Sequence, residues 1–265
     1  MTMKIGFIGC GNMASAIMGG IIKEKVFAPT DIYGTDALPA AIEKAVSQFG
    51  IQTAPDNVAL VKAVDIVVLA VKPQYYQSVI AEITDAVSEQ LIITIAPGKT
   101  LQWLSDQFGK DVRIIRTMPN TPAMVGCGMT AMCCNTFVTE EDKETASRIL
   151  GGFGDYEIIA ENVMDAVVAV SGSSPAYVFM MIEAMADAAV MGGMPRPQAY
   201  KFAAKAVQGS AAMVTELGKH PGELKDMVCS PAGTTIEAVR VLEERGFRSA
   251  LIECMQACMD KAASM

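Results

Sequence analysis

KIGFIGCGNMA, residues 4–14, is the stretch that decides the fold. An apolar run over 4–9 reads as a strand, and Ala14 to Lys25 reads as a helix, so Gly9, Gly11 and Ala14 fall in a strand–turn–helix setting. This is the GxGxxG/A pattern in the context that gives it meaning. Glycines let backbone amides approach a pyrophosphate, which then lies at the positive end of the helix behind the turn. Gly9, Cys10, Gly11, Asn12 and Met13 are therefore candidate dinucleotide-binding residues, and a tight turn without a ligand is the alternative for the fingerprint taken alone.

Working outward, DIYGT (31–35), DIVVLAV (65–71), LIITIA (91–96) and VRIIRTM (112–118) are further strand candidates separated by helix-like stretches. The runs beginning at Asp65, Leu91 and Val112 are nearly continuously apolar, as expected of strands covered on both faces. The class implied for residues 1–160 is α/β: a Rossmann-type, mostly parallel sheet. Asp36 ends the second strand roughly 20 residues after the fingerprint, where a carboxylate reads the adenosine ribose of NAD and repels the 2′-phosphate of NADP. No arginine lies between Asp36 and Gly50, although Asp36 also suits a turn or a helix cap. Ala70, Lys72 and Pro73, and then Ala96 and Gly98, follow strand ends and are placed to wall the ribose and nicotinamide half of a cofactor. RTMPNTP (116–122) reads as a stiff loop, either a pocket wall or a crossover.

Beyond Glu161 the strand signal stops, and residues 161–265 read as an all-helical domain. Ser174 before Pro175 suits an N-cap, and Gly192-Gly193 suits a stop. Further helices are expected from Pro197 to Gly218, His220 to Val228, Thr235 to Arg245, and Phe247 onward. Residues 166–182 carry no charge, but they fall short of the ~20 residues that span a bilayer and contain Gly172 to Pro175, which predicts a helix break inside a buried core. The many small apolar residues with Met180, Met181, Met185, Met213, Met255 and Met259 call for a partner surface, hence a homodimer; methionines filling a monomer core are the alternative. Thr234 with Glu237 has capping-box spacing, and the same turn can offer free amides to a carboxylate. His220 opens a helix at His-Pro-Gly, a placement that turn chemistry explains.

Composition narrows the class. The 265 residues are 51% hydrophobic and 19% charged, which excludes a disordered chain. A net charge of −8 without a dense basic stretch speaks against nucleic acid or an anionic membrane as partner. The seven cysteines form no CxxC pair and the start has no secretory pattern, so reduced thiols and a cytoplasmic location are expected. One histidine argues against a His-rich site, and no metal is expected.

GFIGCGNM (6–13), AVKP (70–73), RTMPNTP, SGSSPAYVF (171–179), EAMADAAV (183–190) and HPGELKDMVCSPAGTTIEAV (220–239) together resemble the pyrroline-5-carboxylate reductase family, over essentially the whole chain. The resemblance implies a Rossmann domain followed by a helical domain that forms an intertwined homodimer, or a larger homo-oligomer built from dimers. It implies reduction of the cyclic imine 1-pyrroline-5-carboxylate to L-proline by NADPH or NADH, the last step of proline synthesis. Carried onto this chain, it places Gly9, Gly11, Asn12 and Met13 at the pyrophosphate and Asn57 near the adenosine. Ala70, Lys72 and Ala96 would line the cofactor groove. Ser230, Gly233, Thr234 and Thr235 would hold the substrate, with the Thr235 hydroxyl beside the ring nitrogen. Ala232 and Pro97 stand where the family usually has glycine and alanine.

A protonated C=N accepts hydride readily, so bringing its face against the nicotinamide can supply much of the rate. No His, Lys or carboxylate in these motifs is an evident proton donor, and Thr235 is expected to orient the substrate. A β-hydroxyacid dehydrogenase has a similar layout but needs a lysine on the first interdomain helix, and residues 163–182 contain none. A non-enzymatic dinucleotide sensor is the other rival; the complete turn at Ser230 to Thr235 speaks against it.

Overall fold

Strand β1 (Ile5–Ile8) lies between β2 (Ile32–Thr35) and β4 (Ile66–Leu69), parallel to both. From it the sheet extends to β3 (Gln52–Thr53) on one side, and to β5 (Leu91–Thr94), β6 (Arg113–Met118), β7 (Gly128–Cys134) and β8 (Gly154–Ile158) on the other. The order is β3-β2-β1-β4-β5-β6-β7-β8, and every pairing is parallel except β6 with β7. Chain direction across the sheet reverses at β1, which opens a crevice beyond the carboxyl ends of β1 and β4. The computed structural model describes residues 3–264.

Side-chain alternation explains the continuous apolar strands. Ile5, Phe7, Ile66 and Val68 pack on one face with Ile17, Met18 and Ile21 of helix α1 (Asn12–Lys23). Ile8, Val67 and Leu69 pack on the other with Leu60 of α3 (Asn57–Ala63) and Ile80 of α4 (Tyr76–Ile83). Helices α2 (Pro39–Phe49), α5 (Leu101–Phe108) and α6 (Glu140–Gly151) complete the layers.

Three strands have no counterpart in the sequence reading. β3 has only two residues, and β8 is an edge strand with four of its five residues exposed. β7 (GMTAMCC) is poor in β-branched residues, yet it is inserted by antiparallel pairing of Arg116 with Cys133. β6 ends at Met118, where the strand candidate 112–118 ends.

Two compact units result: the chain up to Ser173 with the stretch from Cys258 onward, and Ser174–Ala257. The first includes α7 (Met164–Val167) and a π-helical turn, Val168–Ser173. Helix α8 (Ser174–Met191) follows this turn without a gap, so Ser174 is not an N-cap and the expected helix break is absent. A wider helical turn ends at Ser173, directly before Ser174 and Pro175, in place of the break. The helical run Glu161–Met191 is by length and composition long and apolar enough to cross a membrane, and only 11% of its most apolar stretch is buried, which overturns the expected buried core.

The second unit holds α8, α9 (Arg196–Leu217), α10 (Pro221–Val228), α11 (Thr234–Glu244) and most of α12 (Phe247–Ala263). Among its described residues the buried apolar side chains are Ala186, Ala199, Ala203 and Leu224, while Phe179, Met180, Met185, Phe202 and Met213 are exposed. The methionines therefore do not fill a core within one chain.

Candidate active site

The fingerprint turn is shaped by two different demands on glycine. Gly9 has φ +96°, and a Cβ there would lie 2.8 Å from the Ala70 carbonyl, so no other residue fits between β1 and β4. At Gly11 a Cβ would meet nothing within 4 Å. That open space lies at the N-terminus of α1, whose first turn carries no acidic residue to offset its positive end. The turn is thus a cradle that fits a pyrophosphate, with Asn12 and Met13 forming the first helical positions. Cys10 points inward: burial, reinforced by the Asp36 carboxylate, pushes its thiol up to about 12.

At the end of β2, the Cys10 amide donates to Asp36 Oδ2 at 2.8 Å, and the Leu38 amide donates to Oδ1 at 2.9 Å. Beside it, Thr35 Oγ1 donates to Asn57 Oδ1 at 2.7 Å, and Asn57 Nδ2 donates to Glu82 Oε2 at 2.8 Å. These groups line a cavity of about 210 Å³ that also takes in Asp56. Its lining carries the carboxylates of Asp36, Asp56 and Glu82 and no lysine or arginine. Thr35 is the residue the sequence offers in place of Asp36 if the strand end shifts by one; sequence reading missed Glu82, since α4 brings it here from a distant part of the chain.

A second cavity, of about 310 Å³, opens beyond the carboxyl ends of the strands. Met13, Ala70, Lys72, Pro73 and Ala96 line it, joined by Met118 and, from the π-helical turn, Val168, Gly172 and Ser173. Ala96 is buried and Lys72 exposed. Gly98 does not line this cavity; it serves the turn after Pro97 at φ +72°. Arg116, 3% exposed, pairs with Glu161 at 2.7 Å, and the same Glu161 Oε1 accepts the Leu101 amide. A larger cavity, about 760 Å³, runs along α1 past Gly19 and Gly20 toward Gly126 and Gly154, and it includes none of the candidate site residues.

In the second unit, the Gly233 amide donates to the Ser230 carbonyl at 3.0 Å, which closes a turn with Ala232 at φ +57°. Gly233 is the extended N-cap of α11, and a Cβ on it would lie 2.3 Å from Ser230 Oγ. Thr234 is consequently the first helical residue, one position too late to cap, and no side-chain cap bond forms. The capping box is thus absent; Glu237 is held by Arg240 instead, at 2.7 Å. Thr234 is exposed and Thr235 half-buried, on the first turn of α11, where amides lack intrahelical partners. His220 Nδ1 accepts the Gly222 amide at 3.1 Å and so caps α10.

The chain is 54% identical, over 266 aligned residues covering 100% of it and 99% of the relative, to a pyrroline-5-carboxylate reductase of Escherichia coli (strain K12). It belongs to the pyrroline-5-carboxylate reductase family. The family pattern described as pyrroline-5-carboxylate reductase dimerisation matches residues 161–265, and that described as NADP oxidoreductase, coenzyme F420-dependent, matches 4–98. Among solved structures, the pyrroline carboxylate reductase of Plasmodium falciparum with NADP bound matches with TM-score 0.92 and 30% identity, covering 99% of this chain and 98% of that one. The reductase of Coxiella burnetii matches with TM-score 0.91 and 34% identity, covering 100% and 98%. Like them, this reductase-family chain combines a parallel-sheet unit with a helical one, and it is an NAD(P)H-dependent oxidoreductase.

Proposed function

We propose that the protein reduces the C=N bond of 1-pyrroline-5-carboxylate with NAD(P)H, yielding L-proline and so completing proline synthesis. The observation that carries this reading is the 54% identity over an alignment that spans the entire chain. Gly9, Cys10, Gly11, Asn12 and Met13 hold the pyrophosphate through main-chain groups at the α1 N-terminus. Asp36 and Asn57 meet the adenosine ribose, and Ala70, Lys72, Pro73 and Ala96, with Gly98 in the adjoining turn, shape the remaining groove. When bound, the reduced cofactor supplies hydride to the imine carbon.

Ser230, Gly233, Thr234 and Thr235 hold the substrate. Its carboxylate docks on free amides at the start of α11, and the protonated ring nitrogen donates to the Thr235 hydroxyl. Thr235 thereby orients an already activated electrophile, which needs no further proton from the protein. The apolar faces of α8 and α9 pack against a second copy, giving a homodimer or a larger assembly of dimers; the exposed Phe179, Met180 and Phe202 support this. None of the seven cysteines is in a disulfide, which suits a cytoplasmic enzyme.

Loss of nicotinamide absorbance with stoichiometric appearance of proline, on adding pyrroline-5-carboxylate, tests the activity. No proline above a no-enzyme control at saturating NADH and NADPH overturns it.

A further inference from the structure

We infer that Asn120 and Ser171 are positioning residues for hydride transfer, their hydrogen bond holding the π-helical turn Val168–Ser173 as one wall of the pocket at the strand ends. The inference rests on the reductase reading above. π-Helical turns are rare and occur frequently at functional sites.

Side-chain hydrogen bonds tether this one. Asn120 Nδ2 donates to Ser171 Oγ at 3.0 Å, and the Cys258 thiol donates to Ser173 Oγ at 3.2 Å. Asn120 is 9% exposed, and its Oδ1 accepts the Met129 amide at 2.9 Å. Both ends of its amide are thus committed, one to β7 and one to the turn. Gly172, between the tethered serines, lies against the sulfur of Met118; a Cβ there would sit 3.5 Å from it.

Val168, Gly172 and Ser173 line the 310 Å³ cavity with Met13, Lys72 and Ala96, whereas Asn120 and Ser171 stand behind this lining. They act, therefore, through the wall and not by contact. With no acid–base side chain in the motifs, the rate depends on how closely the two reacting carbons are held, and a wall that yields lengthens that approach.

Ser171→Ala removes one hydroxyl and leaves the helix backbone intact. The expected result is a fall in kcat of about ten-fold, the scale of one buried hydrogen bond, at unchanged KM for both substrates. A larger primary isotope effect with 4-deuterated NADH accompanies it, and Ser171→Thr, which keeps the hydroxyl, restores kcat. In the free protein, amide exchange at residues 168–173 quickens, and the fluorescence anisotropy of bound NADH falls. Unchanged kcat, or a rise in KM alone, overturns the inference even if exchange quickens, because the tether then serves stability or binding. Should the wild-type protein reduce no pyrroline-5-carboxylate, the reductase reading fails separately. The anisotropy comparison then decides the wall alone: a fall in Ser171→Ala upholds the tether that holds the pocket wall, and equal values overturn it.

Discussion

The Cys10 amide donates to the Asp36 carboxylate at 2.8 Å, joining the residue proposed for the adenosine ribose to the turn proposed for the pyrophosphate. Asp36 is thereby held facing the crevice, and its other oxygen accepts the Leu38 amide, so it is turn residue and candidate ribose reader together. With Asp56 and Glu82 also lining the cavity and no cation among its walls, a 2′-phosphate meets repulsion there.

The first prediction is a preference for NADH. Asp36→Ser should raise the ratio of kcat/KM for NADPH over that for NADH by about ten-fold, equivalent to ~1.4 kcal/mol. Initial rates with both cofactors check it; an unmoved ratio assigns the preference to other residues.

Thr235→Ala should lower kcat/KM for the imine by roughly ten- to a hundred-fold, the ~1.5–3 kcal/mol of a hydrogen bond to a charged group, and leave NADH affinity alone. Thr234→Ala, by contrast, should leave the urea midpoint nearly unchanged, since Gly233 and not Thr234 occupies the cap position. A drop in stability for Thr234→Ala would restore the capping role that the geometry denies it.

Ala232 holds φ +57°, where a Cβ is strained by ~1–2 kcal/mol relative to the right-handed region. Ala232→Gly relieves this but adds freedom to the unfolded chain, so a net gain of about 0.5–1 kcal/mol is expected. Urea unfolding at fixed protein concentration measures it, and a lower midpoint refutes the strain.

Alkaline pH should unfold the protein. Burial pushes the thiols of Cys10 and Cys133 and the Tyr76 hydroxyl up to about 12, with the carboxylates of Asp36 and Glu161 adding to the effect at Cys10 and Cys133. The ordinary values are 9.0 for a thiol and 10.0 for a phenol, so the unfolded chain releases these protons first. Stability present below pH 9 is then lost toward 12, at about 1.4 kcal/mol per pH unit for each group ionised only when unfolded. Urea midpoints between about pH 8 and pH 10.5 test this, and Cys133→Ala should flatten the decline by up to one proton. A flat profile in the wild-type protein refutes it.

The legible features were those with a local cause. β1, β4, β5 and β6 announced themselves because strands covered on both faces are largely apolar. β7 did not, because its place comes from pairing with β6, a long-range contact that leaves little trace in GMTAMCC. The spacing of Thr234 and Glu237 misled for a related reason: the Ser230–Gly233 turn moved the helix start by one residue. A capping box does form at Thr139 and Asp142, where the preceding chain is extended at the right residue.

By itself the sequence determined the parallel-sheet core, the glycine turn after β1 and the helical second half, since glycine conformation, side-chain alternation and helix punctuation act over a few residues. Tertiary structure alone decided which groups meet at the sites. Thr35, Asn57 and Glu82 form one hydrogen-bonded chain although they lie on β2, α3 and α4. Asn120 reaches Ser171 across 51 positions of sequence. Such contacts depend on how layers pack, and a pattern of a few residues carries no record of the partner that packing will deliver.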